Sequence, residues 1–301
     1  MGTVSRMFNT SGLISSDTKS RVLEAARELG FRPRVRVRNR QIALVTEPPE
    51  RTLMGGYVNT VTQHICHALS RVNADITLIT EDRIENLADS WFDGVIGIAW
   101  DERTVAMLKE IRNLPVVWLS DEHSPSFHTV YLDAVETGRL AGGYLIGKGH
   151  RRIAVIHESD YTGGRRMRGV ALALADAGID ASNLLAIAHT LPLNQAVKQV
   201  IDAGCTAIWV TGEDLKVLEV NWILQELAGK RIPHEISLMG FENPGIAEFQ
   251  RPSLTTIASP LQAMAEKAVA IVLSGETATL QKVRMEVQVI ERNSVRTITT
   301  R

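Results

Sequence analysis

Five arginines stand in nine positions at RPRVRVRNR, residues 32–40. Guanidinium groups fork onto carboxylates and phosphates, so such a run is chemistry for an anion. Both regular conformations carry a cost without one. A helix would stack Arg32, Arg36 and Arg40 at i, i+4, i+8, a like-charge stripe that costs about 0.2–0.5 kcal/mol per pair. A strand would put every arginine on one face. Either arrangement becomes favourable when an anion lies along that face, and the alternative is a solvated linker.

Other reactive residue types are sparse. His64 and His67 stand at i, i+3, a spacing workable for a metal, but no Asp, Glu or Cys cluster accompanies them, so no metal site is expected. Cys66 and Cys205 follow no metal, redox or nucleophile spacing, which suits a reducing cytoplasm. Neither G-x-G-x-x-G, G-x-x-x-x-G-K-[ST] nor G-x-S-x-G occurs, so neither an enzyme nor a cofactor is implied.

The elements that must carry these residues divide into two parts. Residues 1–41 hold nine Lys/Arg against three Asp/Glu, a net of +6, while residues 42–301 hold 24 against 31, a net of −7. That split predicts a small basic module on a neutral-to-acidic body. With 301 residues, 45% of them apolar and 22% charged, the chain has the composition of two or three globular domains. No apolar run reaches membrane length, and the amino terminus lacks the apolar region of a signal peptide, so the reading is cytoplasmic with no membrane partner.

In the basic part, Val4, Met7 and Phe8 keep helical spacing, TSG breaks it, and SSDTKSRVLEAARELGF reads as a second amphipathic helix ending at Gly30. TVSRMFNTSGLISSDTKSRVLEAARELGFRPR resembles the headpiece of lactose-repressor/galactose-repressor (LacI/GalR) transcription regulators, whose pattern runs TVSRVLN, a loop, S-x-x-T-x-x-R-V, then ELGYxPN. The resemblance implies a helix-turn-helix whose recognition helix sets Thr3, Ser5, Arg6 and Asn9 against base edges, Arg6 on guanine. It also implies a preceding helix and a turn ending V-S-x-x. The sequence opens at Met1-Gly2, so the headpiece reads as partial and weak on DNA. The following segment matches the family's hinge, with Arg40 where a leucine wedge stands. Arg34, Arg36, Arg38 and Arg40 are thereby expected on DNA, in phosphate contact or a narrow minor groove.

From residue 42 onward strands alternate with helices. IALVT, ADITLIT, GVIGIA and LPVVWLS form one series; RRIAVIHES, LLAIAHT, TAIWVT, ISLMGFE and LTTIAS form another. Repeated β-α units predict an α/β protein with two doubly wound parallel-sheet lobes and a ligand cleft outside the strands' carboxyl ends. FDGVIGIA, LDAVETGRLAGGYLIGKGHRRIAVI, RRMRGVALALADAGI, ISLMGFENPGIAEFQRPSLTTI and ERNS are similar to the same family's effector core, which is periplasmic-binding-protein-like. The domains implied are a headpiece at 1–31, a hinge at 32–41 and a core at 42–301. The core would comprise an N-subdomain of about 42–130 plus 260–280 and a C-subdomain of about 131–258 plus 281–301.

Carried over residue by residue, the resemblance makes Arg166 an effector-binding arginine and Glu242 a cleft-closing acid. Trp209 becomes a stacking ring, and Tyr57, Asp160 and Thr162 become further effector contacts. Each has a bland alternative: Trp209 as core, Arg166 as helix surface, Glu242 as a turn cap. Asp133 reads as a helix initiator. Gly212, in GED, lacks the amide of many sugar-binding members, which argues against a simple hexose. The function implied is a homodimeric transcriptional regulator, a repressor by resemblance, that binds operator DNA under control of a small polar effector. A small-molecule sensor or solute-binding protein without DNA binding is the alternative.

Overall fold

In β1 (Arg40–Thr46) the five residues from Ile42 are buried, because the strand is covered on both faces. The computed structural model describes residues 21, 22, 25, 39–48, 56–89, 91–112, 114–212 and 216–299. Among them, β1 is followed by α1 (Tyr57–Ser70), β2 (Ala74–Thr80), α2 (Asn86–Asp89), β3 (Gly94–Ile98), α3 (Glu102–Glu110), β4 (Val116–Ser120) and β5 (His128–Leu132). A second series runs α4 (Ala134–Gly147), β6 (Ile153–His157), α5 (Tyr161–Asp176), β7 (Leu184–Ala188), α6 (Leu193–Asp202) and β8 (Ala207–Val210). It continues with α7 (Lys216–Trp222), β9 (Ser237–Phe241), β10 (Thr255–Ala258), α8 (Leu261–Ser274), β11 (Lys282–Met285) and β12 (Gln288–Ile290).

The strands form two six-stranded sheets, in the orders β11-β5-β4-β3-β1-β2 and β12-β10-β9-β8-β6-β7. The two orders are the same pattern used twice. The chain divides into two compact units, one built mainly from β1, Thr60–Tyr131 and Leu261–Val283, the other mainly from Leu132–Pro260 and Arg284–Arg301. This is the doubly wound α/β architecture expected of the core. β5, β11 and β12 are additional to the strands read from sequence. The last two hold only exposed and half-buried residues at the sheet edges, so they lack the buried apolar run that marks an interior strand.

Period-2 alternation splits the second unit's core in two. Ile153 and Val155 of β6 pack with Ala141, Leu145, Val170 and Leu174 of α4 and α5. Ala154 and Ile156 pack with Val197 and Val200 of α6 and Val217 and Val220 of α7. Each of these Val, Leu and Ile side chains, fully buried, contributes about 1.5–3 kcal/mol. In the first unit Ala43, Val45, Val95, Leu108 and Trp118 share one cluster.

The expected hinge residue Arg40 is instead the first residue of β1, paired with Ala74, and its Nη1 donates to the Leu273 carbonyl at the end of α8. A guanidinium there satisfies a carbonyl that the helix leaves open, and it interacts favourably with the negative end of the helix dipole. Arg40 therefore belongs to the first strand of the core, where the hinge was expected to run on to residue 41. Thr3, Ser5, Arg6, Asn9, Arg34, Arg36 and Arg38 lie outside the described residues.

Candidate functional site

The second sheet reverses its strand order at β6 and β8, which are hydrogen-bonded neighbours although β7 lies between them in sequence. At such a switch point the loops after the two strands diverge and leave a crevice. The residues immediately after these strands are Glu158 and Thr211. Both side chains meet there: Thr211 Oγ1 donates to Glu158 Oε2, and Arg166 Nη1 donates to Glu158 Oε1 at 2.6 Å.

Arg166 is delivered by α5. Asp160 caps that helix, accepting from the Gly163 amide at 2.7 Å, and Gly163 allows the helix to start against β6, since a Cβ there would lie 2.2 Å from the Glu158 carbonyl oxygen. Gly138 of α4 presses on the same turn of α5; a Cβ at 138 would fall 1.9 Å from the Arg166 carbonyl oxygen, and one at Gly169 would fall 2.0 Å from the Val135 oxygen. The two helices thus approach backbone to backbone, and this contact sets the depth of Arg166, which is 8% exposed. α4 itself begins at Asp133, which accepts from the Val135 and Glu136 amides as expected of an initiator.

The guanidinium of Arg166 also lies 4.7 Å from the centroid of the Phe241 ring, a cation–π contact. Behind Phe241, at 5.9 Å between centroids, is Trp209. Trp209 is wholly buried among Leu174, Met239 and Ile257, so it has no ring face to offer a ligand and acts on the site only through Phe241. The stacking role expected of it is corrected to core packing.

Burial works to raise the Glu158 pKa, but the Arg166 charge and the Thr211 hydrogen bond outweigh it and hold the carboxyl below its ordinary value. Glu158 is thus a carboxylate paired to its arginine.

Glu242, just past β9, forms a second pair. Arg292 grips it with Nη2 on Oε1 and Nη1 on Oε2, each at 2.9 Å, and Thr256 Oγ1 donates to Oε2. Arg292 Nη1 also reaches the Leu254 carbonyl at 2.7 Å. The Glu242 hydrogen bond, followed by burial working the other way, leaves the guanidinium pKa above its ordinary value. The carboxylate expected to close on a ligand is therefore engaged by a fork within the protein.

Arg166 and Glu242 are brought to the same carboxyl edge of one sheet. Asp160 is committed to its helix cap, and Thr162 is half-buried in the first turn of α5. Tyr57 is half-buried and opens α1. Sequence reading missed Glu158, Thr211 and Arg292. Each sits in a segment with a readable strand or motif, but no local pattern ties Glu158 to a threonine 53 positions on, or Glu242 to an arginine 50 positions on. The described residues hold no group of three or more His, Cys, Asp or Glu that could bind a metal, and none of their helices is long and apolar enough to cross a membrane.

Comparisons with known proteins agree with this architecture. Residues 142–295 match the family described as periplasmic binding protein-like domain, and residues 1–34 match bacterial regulatory proteins of the lacI family. The HTH-type transcriptional repressor PurR of Pectobacterium carotovorum subsp. carotovorum (strain PC1) is 27% identical, over 97% of this chain and 92% of its own length. A transcriptional regulator CelR–cellobiose complex superposes with a TM-score of 0.73 at 26% identity, covering 97% of this chain and 95% of that one. The Lac repressor bound to ONPG in its repressed state shares the fold, with a TM-score of 0.70 at 19% identity over 97% and 94% of the two chains. The chain belongs to the periplasmic binding protein-like domain family, and its first 34 residues match the bacterial regulatory proteins of the lacI family.

Proposed function

We propose that this protein is a transcriptional repressor that binds operator DNA and whose operator affinity is set by a small polar effector held at the carboxyl edge of the second sheet. The observation that carries the effector half is the buried Arg166 guanidinium at the β6/β8 switch point, where doubly wound sheets take their ligands. The DNA half is supported by the lacI-type match over residues 1–34, by the arginine run that follows it, and by relatives named as repressors. It acts in the cytoplasm as a homodimer on a pseudo-palindromic site, since two-fold protein symmetry calls for matching half-sites. The effector is bound and released without turnover. Its energetic role is the difference in its affinity for the DNA-competent and DNA-incompetent states.

The test is operator binding by fluorescence anisotropy against salt, on DNA selected by the protein from a random pool. A repressor shows a steep log–log salt slope. The triple variant R34A/R36A/R38A lowers that slope by about 0.9 for each phosphate it ceases to neutralise, so by about 3 at most. Arg166→Ala should leave DNA binding intact and abolish the response to effector. A flat salt response in both proteins would sink the DNA-binding reading in favour of a sensor.

A further inference from the structure

Among the described residues, two ion pairs stand at the carboxyl edge of the second sheet: Arg166 with Glu158 at 2.6 Å, and Arg292 with Glu242 at 2.9 Å. The first pair differs in kind from the second. Glu242 has both oxygens gripped by one fork, backed by Thr256 and the Leu254 carbonyl. Glu158 receives one N–H on Oε1 and one O–H on Oε2, so each oxygen keeps a lone pair, and its side chain is 20% exposed. What this edge offers an incoming molecule is a hydrogen-bond acceptor of negative charge.

The backbone opposite has been shaped for that carboxylate. Gly212 has φ of +86°, and a Cβ built there would stand 2.4 Å from Glu158 Cδ and 2.5 Å from Oε1. A side chain at 212 would be strained by that φ and would push the carboxylate of Glu158 from its present place. The chain has placed an acceptor-only group where an amide side chain would offer both donor and acceptor. His189 also faces Glu158, its charge adding to the pull that keeps the carboxyl ionised.

We infer that Glu158 is a specificity-determining residue of the effector site: as the resident counter-ion of Arg166 it excludes carboxylate-bearing effectors and selects uncharged hydroxylated or amine-bearing ones. This rests on the effector reading above. A carboxylate approaching Arg166 meets a like charge already on the guanidinium, and displacing Glu158 would leave a buried carboxylate with only Thr211 and the His189 charge to hold it. A hydroxyl or ammonium group instead donates to the open lone pairs of Glu158 and leaves the Arg166 pair in place.

The experiment measures binding of D-glucose, D-glucosamine and D-glucuronate to the full-length protein by calorimetry and thermal shift. The proteins compared are wild type, Glu158→Gln and the double variant Glu158→Gln/Arg166→Gln, with circular dichroism confirming the fold. The isosteric Glu158→Gln removes the negative charge 2.6 Å from the guanidinium, so the glucuronate-to-glucose affinity ratio should rise about tenfold or more over wild type. The double variant should lose that gain because the cation is gone. Should Glu158→Gln fail to fold, Glu158→Asp, which keeps the charge on a shorter arm, should give a smaller rise.

Glucuronate binding wild type as tightly as glucose overturns the proposal, and so does an unchanged ratio in every folded Glu158 variant. If glucose or glucosamine binds wild type while the ratio stays flat, the specificity role falls and the effector reading stands. If no protein takes any of the three, the absence of a gain overturns the specificity role. The effector reading is then decided by the DNA-release experiment with Arg166→Ala.

Discussion

The two sheets share one strand order and differ in what their carboxyl edges hold. In the first, β4 ends at Ser120 and is anchored by Trp118, whose Nε1 donates to the Ala99 carbonyl at 2.9 Å and whose ring meets Phe127 edge-on. In the second, the equivalent edge gathers Glu158, Thr211, Arg166, Glu242 and Arg292, and its tryptophan, Trp209, has an Nε1 that meets no acceptor among the described residues. One topology therefore supports an edge with acids just past its strands, Glu47, Glu81, Asp121 and Glu122 among them, and an edge whose acids are gripped by arginines. The chemistry of each depends on the few residues placed after its strands.

The largest test of that contrast is the fork on Glu242. Arg292→Leu leaves a carboxylate that is 13% exposed with Thr256 as its main partner, and should cost about 3–5 kcal/mol in urea unfolding. Replacing both partners, Glu242→Gln with Arg292→Met, should recover most of it. A single-variant loss under about 1 kcal/mol would show that the pair is solvated and the two edges are energetically alike.

Next come the histidines. His128, in the first sheet, has Nε2 on the Glu276 carbonyl at 2.7 Å and accepts the Gln281 amide on Nδ1 at 3.0 Å. His150, entering β6, bonds Thr206 Oγ1 at 2.9 Å, and burial pushes its pKa down from 6.5 to about 4. A depressed folded pKa means the unfolded chain binds the proton first. The contribution is complete above pH 6.5 and shrinks as pH falls toward 4, by about 1.4 kcal/mol per pH unit and about 3 kcal/mol in all. His150→Asn should flatten the stability curve in that window, and an NMR titration giving His150 a value near 6.5 would remove the basis for it.

The tryptophans sharpen the comparison at smaller scale. Both Trp→Phe variants lose ring volume, but only Trp118→Phe strands a hydrogen-bonded carbonyl. It should therefore cost about 1 kcal/mol more than Trp209→Phe by chemical denaturation. Equal losses would mean that Ala99 is satisfied otherwise. Smallest of all is the exposed i, i+4 pair Lys198–Asp202 on α6, where Lys198→Ala should shift stability by about 0.5 kcal/mol or less.

Much of the fold was legible because interior parallel strands, buried on both faces, leave continuous apolar runs such as IAVI and AIWV. Edge strands β11 and β12 leave no such run. In the site, Arg166 was legible through RRMRG and Glu242 through GFEN, each from a resemblance rather than from periodicity. The partners that give them their character were not: Arg292 lies 50 residues from Glu242, and Glu158, eight residues before Arg166, pairs with it across a strand-loop-helix turn that no periodicity marks. Trp209 shows the converse error. The resemblance implied a ligand-facing ring with core packing as its alternative, and alternation along β8 turns it inward with Ala207, both among the same core residues.

The glycine at 138 has a consequence for how this protein would tolerate random mutation. Any side chain there must displace the Arg166 carbonyl, and with it the guanidinium paired to Glu158. A genetic screen scored on loss of effector response would then recover position 138 beside position 166, although no effector ever touches it. The indispensable residues would outnumber those that meet the effector, and the extra members would be the smallest ones.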